Sequence, residues 1–428
     1  MLARPMRQDS SSSRDRRRIY AAQGVRAFVY GFGSVILGAS LARAGLSGTE
    51  VGMVFAALLA GSALASFLVT SRADLLGRRL VYRGLLVAMG IAGTIFALTD
   101  TLPLLIVAAL TGTVSVDVVE SGPFTSLEQA MLPQSAGPST ARAFGVYNAV
   151  AALVGSAGAL AAGGPELLRD VFPGAPPGQR WLLLYPAAAA VALVVAAGFS
   201  DVVEPPIGRR AKPHGTRRRP LDRSRGPVIR LAGLFALDSF AGGFIVQSFL
   251  VYWFTEVLGA STIVMGATLA VAGLVQAGSF LAAPRIADRI GLLNTMVFTH
   301  LPSNVLLALI PLVRSLPGAL ALLVARFALS QMDVPTRQAY LAALAGPSEL
   351  SAAASVTNAT RTAVRPFAPP LAGAAVGTAV PGLPFFIAGG LKIVYDVALY
   401  VWFRKVPVEG DRHPKISRPT PPGIAGTE

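Results

Sequence analysis

Cysteine is absent from the 428 residues, so the chain forms no disulfide and carries neither a thiolate nucleophile nor a cysteine-bound zinc site. Charge is also scarce. Charged residues make up 14% of the chain, against about 25% in ordinary soluble domains. The three histidines, His214, His300 and His413, are too scattered to form a spaced ligand set. No nucleophile stands beside a base, which argues against a polytopic membrane enzyme, and no cofactor or metal is expected.

What is abundant is apolar sequence: 53% of residues are hydrophobic. A helical membrane span needs about 20 mostly apolar residues, and twelve such stretches can be marked. They run approximately over 19–42, 51–69, 80–98, 103–131, 143–162 and 181–199, then 228–254, 262–283, 292–313, 317–344, 353–379 and 384–403. The remaining segments are a Ser- and Arg-rich tail over 1–18, expected to be disordered, a basic linker over 201–227 and a second tail over 404–428. The predicted fold is therefore an all-α membrane protein of twelve transmembrane helices, with one six-helix bundle over 19–200 and another over 228–403.

The formal net charge of +15 suggests nucleic acid only if the basic residues share a folded face. Here they lie between the apolar runs, so no nucleic-acid partner is expected. Lys and Arg concentrate in cytoplasmic loops of membrane proteins. With the N-terminus inside, the outer loops hold only Arg43, Arg169, Arg180 and Arg314, while Arg26, Arg326, Arg337, Arg361, Arg365 and Lys392 fall inside spans. All other basic residues are then cytosolic. This predicts a multi-pass protein of the inner or plasma membrane with both termini in the cytosol.

The second half repeats the first at a distance of about 210 positions, as expected of duplicated transporter halves. Asp74-Leu75-Leu76-Gly77 recurs as Asp288-Arg289-Ile290-Gly291, and Val146-Tyr147-Asn148-Ala149 as Val356-Thr357-Asn358-Ala359. Pro123 to Gln129-Ala130 likewise recurs as Pro335 to Gln338-Ala339. Each match falls on the same numbered span of its half, or on the loop beside it.

The loop after the second span resembles the signature G-x-x-x-D-R-x-G-R-R of the major facilitator superfamily. Asp74, Gly77, Arg78 and Arg79 match it, whereas Thr70 and Leu75 depart. The second copy keeps Asp288, Arg289 and Gly291 but has Pro284 for the first glycine and Leu292-Leu293 for the arginine pair. The resemblance covers nearly the whole chain. It implies that these residues latch the two halves together on the cytosolic side of an outward-facing state; a tight basic loop with no gating role is the plainer alternative. The fifth span, with Gly155-Ser156-Ala157-Gly158 and no proline before Pro165, departs from the signature of drug antiporters in this family. Other segments, Leu237 to Phe244 and Met332 to Gln338, look like a bacterial subgroup of unnamed substrate.

An ionisable side chain within a span is a functional candidate by default. Asp117, Glu120, Phe124 and Glu128 recur at helical spacing, as do Arg326, Ser330, Asp333 and Arg337, and Asn358, Arg361 and Arg365. Each set shares one helix face, which should look into the bundle. The repeat relates Arg26 to Asp238 and Glu128 to Arg337, in each case with opposite charge. Both pairs are expected to bridge the halves, either breaking during transport or merely neutralising one another.

Glu120 is the first candidate for a proton-coupling carboxyl, with Asp333 its counterpart, and Asp117 shares the Glu120 stripe. Arg361 and Arg365 are candidates for contacting an anionic solute, since a guanidinium forks onto carboxylate or phosphate; pairing with Glu120 and Asp333 is the alternative. Lys392 and Asp396, four apart, are expected to pair with each other, and His300 beside Pro302 reads as a hydrogen-bonded kink. The function expected is secondary transport of a small solute by alternating access, proton-coupled, inward or outward, by a monomer. A facilitative uniporter, or a transporter-like sensor or scaffold without flux, remains open.

Overall fold

A computed structural model describes residues 4–117, 122–136, 140–205, 221 and 224–406. In the first half, α1 (Arg4–Arg43), α2 (Gly48–Leu76) and α3 (Arg78–Leu98) are followed by α4 (Leu102–Leu110), α5 (Pro123–Ala136), α6 (Thr140–Ala161), the short α7 (Gly164–Val171) and α8 (Leu184–Ala197). The second half contains α9 (Arg225–Gly243), α10 (Gln247–Leu258), α11 (Thr262–Ile290), α12 (Leu292–Leu309), α13 (Leu316–Ser330), α14 (Asp333–Val364), α15 (Ala368–Val376) and α16 (Leu383–Phe403). Among the described residues there is no β-strand.

Nine segments are long and apolar enough to cross a membrane, the seventh expected span among them despite its break at 244–246. The fourth, tenth and eleventh expected spans fall outside these nine and are broken as well. The fourth divides into α4 and α5, the tenth pauses at Gln331-Met332, and the eleventh passes through a 3-10 turn at Arg365–Phe367 into α15. Gly346, at φ 67°, breaks α14 where the tenth span turns into the eleventh. Large apolar side chains such as Phe67, Leu281 and Val194, at 69%, 71% and 76% exposure, point outward, which in a soluble fold would be an aggregation surface and here faces lipid tails.

Local chemistry sets the helix ends. A capping box of Ser47 and Glu50 starts α2: the Ser47 hydroxyl accepts from the Glu50 N–H while the Glu50 carboxylate accepts from the Ser47 N–H. Gly77 ends α2 at φ 96°, a conformation that a side chain would strain. The polar N-terminal stretch is not a disordered tail throughout, because helix α1 already begins at Arg4. Asp15, fully buried, accepts from the Ser200 N–H at 3.1 Å and from its hydroxyl, so the cap of the last first-half turn anchors this extension.

The two halves meet mainly at one end, that of Arg43. There α2 lies against α15, α1 against α10, and α6 against α11. A side chain on Gly373 would overlap the Gly48 carbonyl, and one on Gly52 the Pro369 carbonyl, so the helices touch backbone to backbone. Arg43 donates to the Thr262 hydroxyl at 2.9 Å, and the Glu166 carboxylate accepts from the Thr262 N–H at 2.8 Å, capping α11 from the other half. One large apolar core spans both halves here, whereas a separate smaller core, with Val228, Phe235, Tyr340 and Tyr395, belongs to the second half alone at the opposite end.

Candidate functional site

Arg26 on α1 and Glu128 on α5 are both fully buried and 2.5 Å apart. Tyr82 of α3 and Tyr147 of α6 each donate to a different oxygen of Glu128 at 2.6 Å. The Gln23 side-chain oxygen accepts from Arg26, and the Phe124 ring lies 4.3 Å beneath the guanidinium. The carboxylate is thus satisfied on both oxygens, the condition for a buried ion pair to persist.

The second half holds the same arrangement with the charges exchanged. Asp238 of α9 sits 3.5 Å from Arg337 of α14, which also pairs with Asp333 at 3.0 Å. Lys392 of α16 contacts Asp238 at 2.5 Å, and His300 of α12 approaches it at 3.9 Å. Asp396 accepts from Asn304 at 2.8 Å and meets His300 Nδ1 at 2.9 Å.

These contacts correct three expectations. Arg26 does not bridge to Asp238, nor Glu128 to Arg337; each pair of repeat-related residues is split, and every charge finds its counter-ion on the first or fourth span of its own half. Lys392 does not pair with Asp396, because the Asp238 carboxylate and the His300–Asn304 edge claim the two ends separately. The expectation that His300 is hydrogen-bonded agrees with its contact to Asp396, and Pro302 lies within α12.

Between the halves the decisive residue is Asp117, in the interruption between α4 and α5. One carboxylate oxygen pairs with Arg365 at 2.7 Å, and the other accepts from the Gln247 backbone N–H at 3.0 Å. Beside it the Val116 carbonyl accepts from the Ser248 N–H at 3.0 Å and from its hydroxyl at 3.1 Å. Three chain breaks therefore meet here, in the fourth, seventh and eleventh spans: the α4–α5 gap, the α9–α10 gap and the 3-10 turn before α15. Broken helices at membrane depth survive where protein satisfies their freed backbone groups, and here the opposite half does so. Asp117–Arg365 is the one ion pair between the halves among the described residues. No hydrogen bond found among them crosses between the halves on the Arg78 side of it.

Arg361 does not share that pairing. Neither its guanidinium nor that of Arg326 makes a hydrogen bond or ion pair among the described residues, and the Nε atoms of both are buried without a partner. Glu120 lies outside the described residues.

The signature loop closes on its own half. Arg78 pairs with Asp74 at 2.7 Å and donates to the Ala130 carbonyl at 2.8 Å. Glu204, after the sixth span, accepts from the backbone N–H groups of Arg78 and Arg79 at 2.9 and 3.1 Å, capping α3, while Arg79 pairs with Asp201 at 2.5 Å. Burial alone would push the Glu204 carboxyl up, but those two N–H groups and the Arg79 guanidinium outweigh it and hold the carboxyl below its ordinary range. Among the described residues none of these loop contacts reaches the other half, as the latch implied by the resemblance would require. In the second copy Gly291 repeats the positive φ at 87°, with Asp288 and Arg289 exposed. Tyr82, Tyr147 and Glu204 escaped sequence reasoning; a tyrosine in a span one half-width from a buried carboxyl was the available signal for the first two.

The family model for the Major Facilitator Superfamily matches residues 19–331. The chain belongs to this superfamily. Its members' fold accounts for the nine long apolar segments and the three remaining broken spans as twelve helices. An uncharacterized membrane protein of Saccharomyces cerevisiae is 26% identical over 437 aligned positions, covering 94% of this chain and 98% of that protein. Among solved structures, the nucleoside transporter NupG has a TM-score of 0.71 at 14% identity, covering 91% of this chain and 99% of that one. The inward-open xylose transporter XylE from E. coli has 0.66 at 14%, covering 92% and 97%. The human organic anion transporter MFSD10 has 0.58 at 16%, covering 91% and 99%. Identities this low establish the shared fold alone; the family model over residues 19–331 is what makes the chain a membrane transporter of a solute rather than an enzyme.

Proposed function

We propose that this transporter is a proton-coupled secondary carrier in which the Asp117–Arg365 pair joins the closing of one gate to the charge state of the site. The observation that carries this is the one inter-half ion pair among the described residues, at the meeting point of three chain breaks. The Arg26–Glu128 and Asp238–Arg337–Lys392 networks each lie within one half, so rocking the halves as rigid bodies leaves those networks intact. Asp117–Arg365 is the ion pair that must break, together with the inter-half hydrogen bonds around it. Protonating Asp117 cancels its charge, leaves Arg365 without its counter-ion and loosens the seam, which is the physical link that coupling requires. Glu120 and Asp333 are the further candidate carboxyls, and Asp74, Arg78, Asp288 and Arg289 would form the opposite gate once the halves tilt the other way.

On this proposal the Arg78 end and both termini face the cytosol, the protein lies in the inner or plasma membrane, and the conformation seen is inward-facing. One protomer contains the whole path. The test uses proteoliposomes loaded with a defined metabolite mixture, with flux followed by mass spectrometry with and without an imposed pH gradient. Accumulation driven by the gradient, and lost in Asp117→Asn or Glu120→Gln, supports the proposal. Equilibration indifferent to the gradient indicates a uniporter. Absence of any flux indicates a sensor or scaffold.

A further inference from the structure

We infer that the solute is an organic anion, and that Arg326 and Arg361 in the second half are the residues that receive its carboxylate or phosphate. The inference rests on the transport proposal for its cargo, but its evidence is independent of the coupling pair. Arg326 is 7% exposed, yet its guanidinium has no hydrogen bond or ion pair among the described residues. Its stem lies by the Phe327 ring, which stands 5.3 Å from the guanidinium carbon. One helical turn on, the Ser330 hydroxyl is also buried and without a partner. Both sit at the end of α13, where the tenth span pauses. Arg361 lies within electrostatic reach of the same Asp238 carboxylate as Arg326.

The placement of the carboxylates points the same way. Among the described residues the other buried second-half carboxylates are engaged elsewhere, Glu349 by the Ser224 N–H at 3.1 Å and Asp396 by Asn304 and His300. Asp238 is already engaged by Lys392 and Arg337, and Asp333 by Arg337. A buried cation without a counter-ion is unfavourable, and a guanidinium in that position is an anion receptor waiting for two acceptor oxygens in its plane. A neutral sugar or a cationic drug would leave these two guanidinium groups without a counter-ion.

The test is a thermal-shift comparison on the purified full chain with four probes of one size: benzoate, phenyl phosphate, benzyl alcohol and benzylammonium. Wild type should be stabilised by benzoate, by phenyl phosphate or by both, the pattern separating carboxylate from phosphate, and not by the alcohol or the ammonium. Arg326→Met and Arg361→Met should each lose that response. In the absence of probe both should melt at or above the wild-type temperature, because each removes an uncompensated cation while keeping its apolar stem. Three results overturn the assignment: no stabilisation by either anion at millimolar concentration, stabilisation by the uncharged or cationic probe, or an anion response unchanged in both variants. A lower melting temperature of both probe-free variants would also overturn it, since that marks a structural role. If the anion response is present but proteoliposomes show no flux, the receptor stands and the transport proposal falls.

Discussion

Replacing Asp117 by Asn tests the seam with the least change of shape. The side chain keeps an oxygen that can accept from the Gln247 N–H, and only the charge facing Arg365 is lost. The two side chains are 27% and 34% exposed. A contact of this kind gains about 4 kcal/mol at an effective dielectric of about 20 before desolvation, and exposed pairs retain at most about 1 kcal/mol. A net value of about 1.5 kcal/mol lies between these limits and corresponds to about a tenfold shift toward the conformation open at the Arg43 end. The natural absence of cysteine makes this measurable. Val251 is fully buried in the seam, against Gly38, so Val251→Cys supplies the sole thiol. Its rate of reaction with a membrane-impermeant maleimide, under conditions where opening is fast, follows the population of the open state. Asp117→Asn should raise that rate about tenfold. Adding Arg365→Gln should raise it no further, because the two residues act as one pair. An unchanged or slower rate in Asp117→Asn would refute the account of the seam.

Three further outcomes follow from the geometry. Glu128→Gln strands the buried Arg26 guanidinium and should destabilise the protein by about 3–5 kcal/mol in thermal unfolding, with much of the loss recovered by adding Arg26→Gln but none by Asp238→Arg. Gly373→Val places a side chain against the Gly48 carbonyl and should disfavour the closed Arg43 end by about 1–3 kcal/mol, read as faster maleimide labelling at Val251→Cys. Glu204→Ala should cost about 1–2 kcal/mol at neutral pH through loss of the α3 cap. Because the folded carboxyl titrates below its unfolded value of about 4.3, this contribution is fully present above that value. It disappears as pH falls through the lower folded value, so wild type and variant should converge in acid.

Hydropathy and the internal repeat were sufficient for the helical architecture, because a span must carry its own apolar length and a duplicated half must keep its pattern. They could not identify partners. A repeat relation says that Arg26 and Asp238 occupy equivalent places at equal depth in different halves, and equivalence under a pseudo-twofold axis is not contact. The counter-ion came instead from the neighbouring helix within each half, as Glu128 and Arg337 show. The interruption after Leu110 was illegible because its Thr, Ser and Asp residues could be read as the polar face of a continuous helix, while the groups that stabilise it, the Gln247 and Ser248 N–H donors, lie about 130 positions away. Lys392 and Asp396 satisfied the local spacing rule, yet the nearby Asp238 carboxylate competed successfully for the ammonium. Over Arg4–Arg18, polar composition suggested disorder, and one buried contact, Asp15 with Ser200, marks where the continued helix is held.

The exchange of sign between the two bundles has a consequence for assembly. Because arginine faces glutamate inside one and aspartate faces arginine and lysine inside the other, neither bundle borrows a counter-ion from its sibling to balance those networks. Severing the polypeptide between Glu204 and Ser224 would divide a single interior ion pair among the described residues, that of Asp117 with Arg365. Two separately translated fragments should therefore each insert and pack, then recombine along the glycine-lined contact near Arg43, as a duplicated ancestor made of two independent chains would have done.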